Sequence, residues 1–246
     1  MRILACGLVL CAAALRGQVT TFEVASVKPN TSGDTKASGG SSNGRLTMIN
    51  IPLEQCIEQA YSIKKYQLAG PDWLGSTRFD IVAKAPADGS RPAIRPMLQA
   101  LLKDRFDLAF HRESKLVTAY ALVVEKGGPK IAPVDPQGKP PHVVDGRGHL
   151  TAERTPMSLL ADVLLHWTGV PVFDKTNLTG VFNVTLDWTP DETQPKDGVD
   201  TGDPNDANGP SLFTALRAQL GLRLEKIKAP VEMLVVDRVN KTPTEN

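Results

Sequence analysis

The sequence predicts an α+β protein made of two tandem copies of a strand-helix-strand-strand-helix-strand-strand unit, with the helices packed on mixed β-sheets. The first observation behind this prediction is an internal match. Segment 44–47 (Gly-Arg-Leu-Thr) corresponds, 104 positions later, to segment 148–151 (Gly-His-Leu-Thr). The second observation is that a proline follows each segment, at Pro52 and Pro156, and opens a run of apolar residues at helical spacing. A helix with one apolar stripe needs a partner, and a sheet with one apolar face provides it.

The start of the chain has the pattern of a secretory signal peptide. Arg2 supplies a short positive start, and residues 3–15 are almost entirely apolar. This run is too short to cross a bilayer as a helix. We therefore expect residues 1–17 to be removed, which makes the protein secreted or periplasmic without a stable membrane span. Lipidation of Cys11 is the alternative, and the bulky Leu10 before it disfavours that reading.

Charge and cysteine content argue against nucleic-acid binding and against thiol chemistry. The formal net charge is +1 and no basic stripe is visible, so a nucleic-acid partner is not expected. Only one of the three cysteines, Cys56, lies beyond the predicted signal peptide. It falls on the apolar face of the first predicted helix, so we interpret it as a small core residue and not as a reactive thiol.

The first predicted unit covers residues 18–132. Segment 30–43 consists almost entirely of small and polar residues and is predicted to be a surface loop. The helix that begins at Pro52 carries one apolar stripe, formed by Leu53, Cys56, Ile57, Ala60 and Tyr61. The predicted strands lie at 22–28, 44–51, 79–85, 107–112 and 119–125, and a second helix ends at Phe106.

Residues 133–147 are rich in proline, glycine and aspartate and are predicted to form a linker. The second predicted unit covers residues 148–241 and repeats the order of the first. Its last helix, at 211–220, matches the second helix of the first unit at an offset of 114 positions; the pairs are Leu98 with Leu212, Leu101 with Ala215, Leu102 with Leu216 and Phe106 with Leu220. The offset grows because the second unit contains a long acidic loop at 190–210.

Several short motifs resemble a known family of proteins. They include the segments 22–29 (Phe-Glu-Val-Ala-Ser-Val-Lys-Pro), 70–73 (Gly-Pro-Asp-Trp), 79–84 (Phe-Asp-Ile-Val-Ala-Lys), 101–106 (Leu-Leu-Lys-Asp-Arg-Phe) and 178–182 (Leu-Thr-Gly-Val-Phe). Together they are similar to a soil-associated family of secreted bacterial proteins of unknown function (DUF3738), expanded in Acidobacteria. The resemblance implies an extracytoplasmic protein and supplies no catalytic residues, since the family defines none.

Two further likenesses concern architecture. The same domain resembles one found attached to membrane sensor-type peptidases that are similar to the β-lactam receptor. The repeated strand–helix–strand unit also looks like the short N-terminal domain of secretins and TonB-dependent receptors. A likeness of fold implies no particular chemistry.

The sequence lacks the motifs of familiar catalytic and metal sites. It contains no His-Glu-x-x-His zinc motif and no phosphate-binding loop. The spacing Gly-x-Ser-x-Gly occurs once, at 40–44, but this polar segment lacks the strand-to-helix context of a nucleophile elbow. Aspartates recur at every third position of the acidic loop, but their spacing does not match a calcium-binding loop; they are Asp197, Asp200, Asp203 and Asp206. We therefore predict no catalytic residues, no metal site and no cofactor.

Three residues are weak candidates for ligand binding. Trp73 follows a turn and Trp188 lies at the exit of a strand, where tryptophans can form contact platforms. Packing in the core is the competing interpretation of both tryptophans. His111 lies at a strand end beside Arg112 and Glu113. There it either forms a local ion pair or has a function, as a general base or as a group that contacts an anion.

These observations favour a non-enzymatic module that binds a small ligand or an envelope or extracellular protein. One alternative is an extracytoplasmic hydrolase with dispersed catalytic residues, and another is a sensor domain that acts with a membrane partner. An open sheet edge or an exposed aromatic patch would favour binding. A pocket that gathers His111, an acid and a hydroxyl would favour the hydrolase.

Overall fold

A computed structural model describes residues 21–34, 36–86, 93–190 and 209–244. Helices and mixed sheets are both present, which confirms the α+β class. The predicted signal peptide and most of the acidic loop at 190–210 lie outside the described residues. Within the described ranges, no helix has the length and apolar character needed to cross a membrane.

The chain divides into two compact units. Unit 1 consists of Met1–Glu113 together with Met233–Asn246, and unit 2 consists of Ser114–Glu232. This division differs from the boundary that we predict at residues 133–147. The reason is that the last segment of the chain returns to unit 1, where it pairs with a strand of that unit.

Unit 1 has a four-stranded antiparallel sheet with one helix after its third strand and another after its fourth. Its elements in chain order are β1 (Val24–Pro29), β2 (Ser38–Ser42), β3 (Arg45–Pro52), α1 (Leu53–Tyr61), β4 (Leu68–Ala69), α2 (Trp73–Ser76), β5 (Arg78–Lys84) and α3 (Ile94–Phe106). The order of strands in the sheet is β1-β5-β3-β2, so β1 and β2 are its outer strands.

Helix α1 forms as predicted. Pro52 precedes its first turn with extended backbone angles, and the helix ends where Ser62 adopts a left-handed conformation at φ 55°. Its buried residues are Leu53, Cys56, Ile57 and Ala60, four of the five in the predicted stripe. Burial raises the pKa of Cys56 to about 12, so this thiol stays protonated and unreactive at neutral pH.

The predicted surface loop at 30–43 contains a strand that we did not expect. Strand β2 pairs with β3 in antiparallel register, from Ser38 opposite Ile49 to Ser42 opposite Arg45. The two strands are joined by Asn43 and Gly44, which have φ angles of 49° and 73°. An Asn-Gly pair with two positive φ angles is the preferred two-residue hairpin turn, and this is the signal that identifies the strand.

Unit 2 has a four-stranded sheet of the order β7-β11-β9-β8. Its elements are β7 (Pro133–Val134), β8 (His142–Gly146), β9 (His149–Thr155), α4 (Met157–Thr168), β10 (Val172–Asp174), β11 (Val181–Asp187) and α5 (Leu212–Ala215), which continues as a π-helical turn over Leu216–Leu220. Strands β7 and β8 lie in the predicted linker. That prediction is corrected because both strands pair within the sheet, β7 with β11 and β8 with β9.

Each unit has its own hydrophobic core between its sheet and its helices. The unit 1 core includes Phe79 and Phe106, whose rings meet edge to face at 4.9 Å between centroids. The unit 2 core includes Trp167 and Trp188, whose ring centroids lie 5.3 Å apart. Pairs of this geometry stabilise a core beyond the area that they bury.

Two long strands replace the pairs of short strands that we predicted at the end of each unit. They are β6 (Ala109–Val124) and β12 (Leu222–Arg238). Within unit 1, the end of β12 pairs in parallel with β4, Leu234 opposite Leu68. Within unit 2, the end of β6 pairs in parallel with β10, Tyr120 opposite Val172. Each unit therefore obtains this strand from the other half of the sequence.

Candidate functional site

Trp188 is a core residue and not a contact platform. It is 5% exposed, and it lies two positions after the fully buried Leu186. Side chains two positions apart in an extended chain point to the same face, so the apolar face of β11 carries Trp188 inward. The same alternation in the sequence is sufficient to identify it.

Trp73 also serves packing. It begins the short helix α2, is half-buried, and packs against the core of unit 1 beside the buried Leu74. The structure therefore favours the core-packing interpretation of both tryptophans over the ligand-binding one.

His111 lies on an exposed part of β6 and contacts an acid. Its Nδ1 atom is 2.7 Å from Oδ1 of Asp237, and about half of each side chain is accessible to solvent. Exposed ion pairs of this kind contribute at most about 1 kcal/mol to stability. The geometry corresponds to local ion pairing, one of the two interpretations of this residue.

A groove beside strand β2 is the best candidate for a binding site. The groove has a volume of about 400 Å³ and lies between β2 and the outward flank of α1. We call it the edge groove; its lining residues are Gly39, Met48, Ile51, Gln55, Glu58, Gln59 and Ile63. Because β2 is an outer strand of the sheet, the groove runs along a sheet edge.

The glycines of β2 are not explained by backbone conformation or by packing. Gly39 and Gly40 are absent from the residues of the described chain that have positive φ angles. A Cβ atom added to Gly39 would lie 3.6 Å from the carbonyl oxygen of Thr47, an ordinary contact, and one added to Gly40 would meet open space. Glycine weakens a strand and often marks a place where another backbone approaches closely.

Glu58 provides the charge of the edge groove. Burial raises its pKa from 4.5 to about 6, with a further increase from Glu54 one turn away and an opposing effect from Lys65. The Lys65 ammonium lies 3.5 Å from the Glu54 carboxylate. Glu58 is thus a partly desolvated carboxylate that a cation beside it would stabilise in its ionised form.

The opposite face of β2 also has open space beside it. A second depression of about 430 Å³ is lined by Ser38–Ser42 together with Arg45 and Thr47. Both faces of this edge strand therefore have open space beside them.

A second cluster lies on the outer face of the unit 2 sheet. Nδ1 of His149 is 2.5 Å from Oδ1 of Asp187, and its Nε2 is 2.9 Å from Oγ1 of Thr151. Asp187 is directly opposite His149 across the β9–β11 pair. With the proton on Nδ1, facing the carboxylate, Nε2 can accept the hydroxyl hydrogen of Thr151.

No motif in the sequence predicts this cluster of a carboxylate, an imidazole and a hydroxyl. The signal for it was the spacing of His149 and Thr151, two positions apart on a strand with a buried residue between them. Among the described residues, this cluster included, no three or more His, Cys, Asp or Glu side chains lie close enough together to hold a metal ion.

A family model described as a protein of unknown function (DUF3738) matches residues 54–239, about three quarters of the chain. The chain belongs to the DUF3738 family. The match begins in α1 and ends just after β12, so it includes parts of both units. No curated protein matches the chain, and no solved structure matches it either. Strands β1 to β3 precede the part of the chain that the DUF3738 match covers.

Proposed function

We propose that this DUF3738 protein is a secreted or periplasmic, non-enzymatic module that binds another protein through the edge groove. The observation that carries the proposal is the outer strand β2, whose five residues are all exposed and which borders the groove. A sheet edge presents backbone N–H and C=O groups that a partner strand can pair with. The signal-peptide pattern at residues 1–17 supports an extracytoplasmic location.

The experiment is an affinity capture of envelope proteins with the mature protein as it is recovered after export. The wild type is compared with Gly39→Phe, which places a ring in the edge groove. We expect a defined partner to be retained by the wild type and lost by the variant. Equal capture by both proteins would contradict the groove as the binding surface. A membrane protein as the partner would specify the sensor interpretation.

We also propose that the two units are tandem copies of one strand–helix–strand scaffold. The strand order is β1-β5-β3-β2 in one sheet and β7-β11-β9-β8 in the other. In both sheets the second strand of the hairpin with the outer neighbour lies inside, and the strand after the helix lies beside it. Each sheet has an extra residue at the same position: Met48 and Ile51 face Ile81 and Phe79, as Ala152 and Thr155 face Val184 and Phe182.

The extra residues themselves support the duplication. Asn50 and Arg154, 104 positions apart, have φ angles of 57° and 47°. The backbone N–H of each donates to a side chain of the neighbouring strand, at 2.9 Å to Asp80 and 2.9 Å to Asn183. A bulge in the same place, held in the same way, is a detail that copies of one scaffold would share.

An extracytoplasmic hydrolase is the second candidate function, and the cluster of His149, Asp187 and Thr151 favours it. The order of groups is that of a nucleophile, a base and an orienting acid. The test is turnover of a panel of nitrophenyl esters by the wild type and by Thr151→Ala. Turnover that disappears in this variant, while the fold is retained, would overturn the non-enzymatic proposal. Equal turnover by both proteins would remove the cluster as a catalytic site.

A further inference from the structure

We infer that the edge groove takes an extended segment of a partner protein, which adds to unit 1 as a fifth strand beside β2 and directs a lysine or arginine side chain to Glu58. This inference deepens the proposed function and depends on it. It specifies that the partner binds by strand addition. It also specifies which face of β2 selects the partner and which side chain of the partner is selected.

The backbone of β2 is suited to strand addition. The register of β2 on β3 is regular over all five of its residues, without the shift that occurs further along β3. In an antiparallel pair, the residues of an outer strand alternately direct their N–H and C=O groups to the inner neighbour and away from the sheet. A regular strand therefore offers evenly spaced donors and acceptors along its open side.

The other outer strands of the two sheets carry features that discourage pairing. Strand β1 ends with Lys28 and Pro29, and β7 is only two residues long and begins with Pro133. Strand β8 carries an exposed charge at Asp145. Charges, prolines and shortness are the usual protections of a sheet edge. Strand β2, with the sequence Ser-Gly-Gly-Ser-Ser, contains neither a charge nor a proline, and its five residues make it longer than β7.

Gly39 determines which face of β2 accepts a side chain of the partner. It lies opposite Met48, a buried residue on the helix-covered face of the sheet, so the position of Gly39 also faces α1. The absence of a side chain there keeps the groove open between β2 and α1. A side chain of the added strand that points to this face would enter the groove, since alternate residues of a strand share a face.

The lining of the groove matches a long cationic side chain. Met48, Ile51 and Ile63 provide apolar contacts for a methylene stem, while Glu58 accepts hydrogen bonds from its charged end. Gln55 and Gln59 on the same flank are uncharged, so the charges facing Glu58 from neighbouring positions are those of Glu54 and Lys65. A carboxylate in a half-buried position favours a cation and disfavours a second carboxylate.

The test uses synthetic peptides and the full-length protein. The probes are three acetylated seven-residue peptides that alternate threonine and valine and carry lysine, glutamate or alanine at the centre. Backbone hydrogen exchange of β2 locates the peptide, and a titration followed by fluorescence anisotropy gives its affinity. We expect the lysine peptide to slow exchange at β2 and to bind about tenfold more tightly than the glutamate peptide, a factor that corresponds to one strong charge contact.

Variants separate the backbone from the side-chain part of the inference. Glu58→Gln should remove the preference for lysine over glutamate while leaving protection at β2. Gly39→Phe should abolish binding, whereas Gly40→Phe, the same change on the opposite face of the strand, should retain it. Protection that appears at β8 in place of β2, or affinity that is the same for all three peptides, would overturn the inference.

Its failure can be distinguished from failure of the proposed function. If the peptides do not protect β2 but a defined envelope protein is captured by the wild type and lost by Gly39→Phe, this inference is wrong while binding through the groove stands. If that protein is captured equally by both, the module binds elsewhere and both proposals are wrong. If esters are turned over and Thr151→Ala abolishes that turnover, the non-enzymatic function is wrong, whatever the peptides do. Binding of the lysine peptide with loss in Gly39→Phe supports both.

Discussion

The two units share the strand order of their sheets and the position of a bulge, but their outer strands differ. Strand β2 of unit 1 is composed of serine and glycine, and it borders a groove that contains Glu58. Strand β8 of unit 2, in the corresponding place, carries His142, Asp145 and two valines, one of which packs against the core. The shared parts build the scaffold. Functional specificity is therefore best sought in the strands that differ.

The largest expected effect tests whether each unit depends on the buried face of one of its helices. Leu101 in α3 and Leu160 in α4 are 6% and 0% exposed. Replacing either with aspartate buries an unpaired charge, which we expect to destabilise the protein by about 3–5 kcal/mol. Thermal unfolding measures the effect, and hydrogen exchange shows whether the unit that carries the change opens first. Lys103→Asp and Ser158→Asp, on the exposed faces of the same helices, serve as controls. Melts close to the wild type for both leucine variants would contradict the helix faces.

A second comparison concerns the two bulges. Asp80 accepts from the backbone N–H of Asn50 and from the Asn30 side chain, at 2.9 and 2.8 Å, around a bulge that is 3% exposed. Asn183 has the corresponding role at Arg154 in a more accessible place. We expect Asp80→Ala to cost about 1–3 kcal/mol, because a buried N–H loses a charged acceptor, and Asn183→Ala to cost about 1 kcal/mol.

Chemical denaturation of both variants gives the two values. An equal cost in the two units would show that burial of the bulge in unit 1 adds nothing to its stability. A larger cost in unit 2 would reverse the comparison.

The helix ends provide a smaller contrast. Helix α1 ends at Ser62 with φ 55°, and α4 ends at Gly169 with φ 68° and no atom within 4 Å of an added Cβ. A left-handed conformation costs a residue other than glycine about 1 kcal/mol. Gly169→Ser should therefore destabilise unit 2 by about 1 kcal/mol, and Ser62→Gly should leave unit 1 unchanged or slightly more stable. Denaturation midpoints of the two variants and of the double variant test whether the two changes have opposite effects on stability.

The smallest expected effect is the pH dependence that Glu58 gives to unit 1. Its folded pKa of about 6 lies above the value of 4.5 for an unperturbed carboxyl. The folded state therefore holds the proton more tightly, and stability declines as the pH rises from 4.5 to 6. Because Glu58 is half-buried and solvent screens its charge, we expect Glu58→Gln to add no more than about 1 kcal/mol at pH 7 and nothing at pH 4.

Denaturation at pH 4 and at pH 7 measures this difference. The matched change in unit 2 is Asp162→Asn, at the exposed position of α4 that corresponds to Glu58. A stabilisation of Glu58→Gln that is the same at both pH values would show that the carboxyl is not titrating in this range.

The sequence was most informative where periodicity is strong. Four of the five residues in the stripe that begins at Leu53 are buried, and so is the whole stripe of Leu212, Ala215, Leu216 and Leu220. Helical spacing predicts which side chains share a face. Among the outer strands, β1 matches the predicted strand at 22–28, whereas β2, β7 and β8 lie in segments predicted to be loop or linker. Strand β2 has no apolar alternation and is recognised only through its turn and its partner β3.

Site residues were harder to predict for the same reason. The edge groove depends on which face of β2 meets α1, and the pairing of His149 with Asp187 depends on register between strands that are distant in sequence. A position after a turn, as for Trp73, or at the exit of a strand, as for Trp188, does not distinguish a contact platform from a core residue. Alternation with Leu186 was the better guide for Trp188, which is buried.

The return of the chain to unit 1 has a consequence for the order in which the protein can be made. Unit 1 includes Met233–Asn246, and strand β4 has its partner in this segment, at Leu234 and Val235. Unit 1 therefore cannot acquire its last strand until synthesis has passed the whole of unit 2. A chain stopped at residue 232 would leave β4 unpaired, and no single cut in the polypeptide releases unit 1 as one continuous piece.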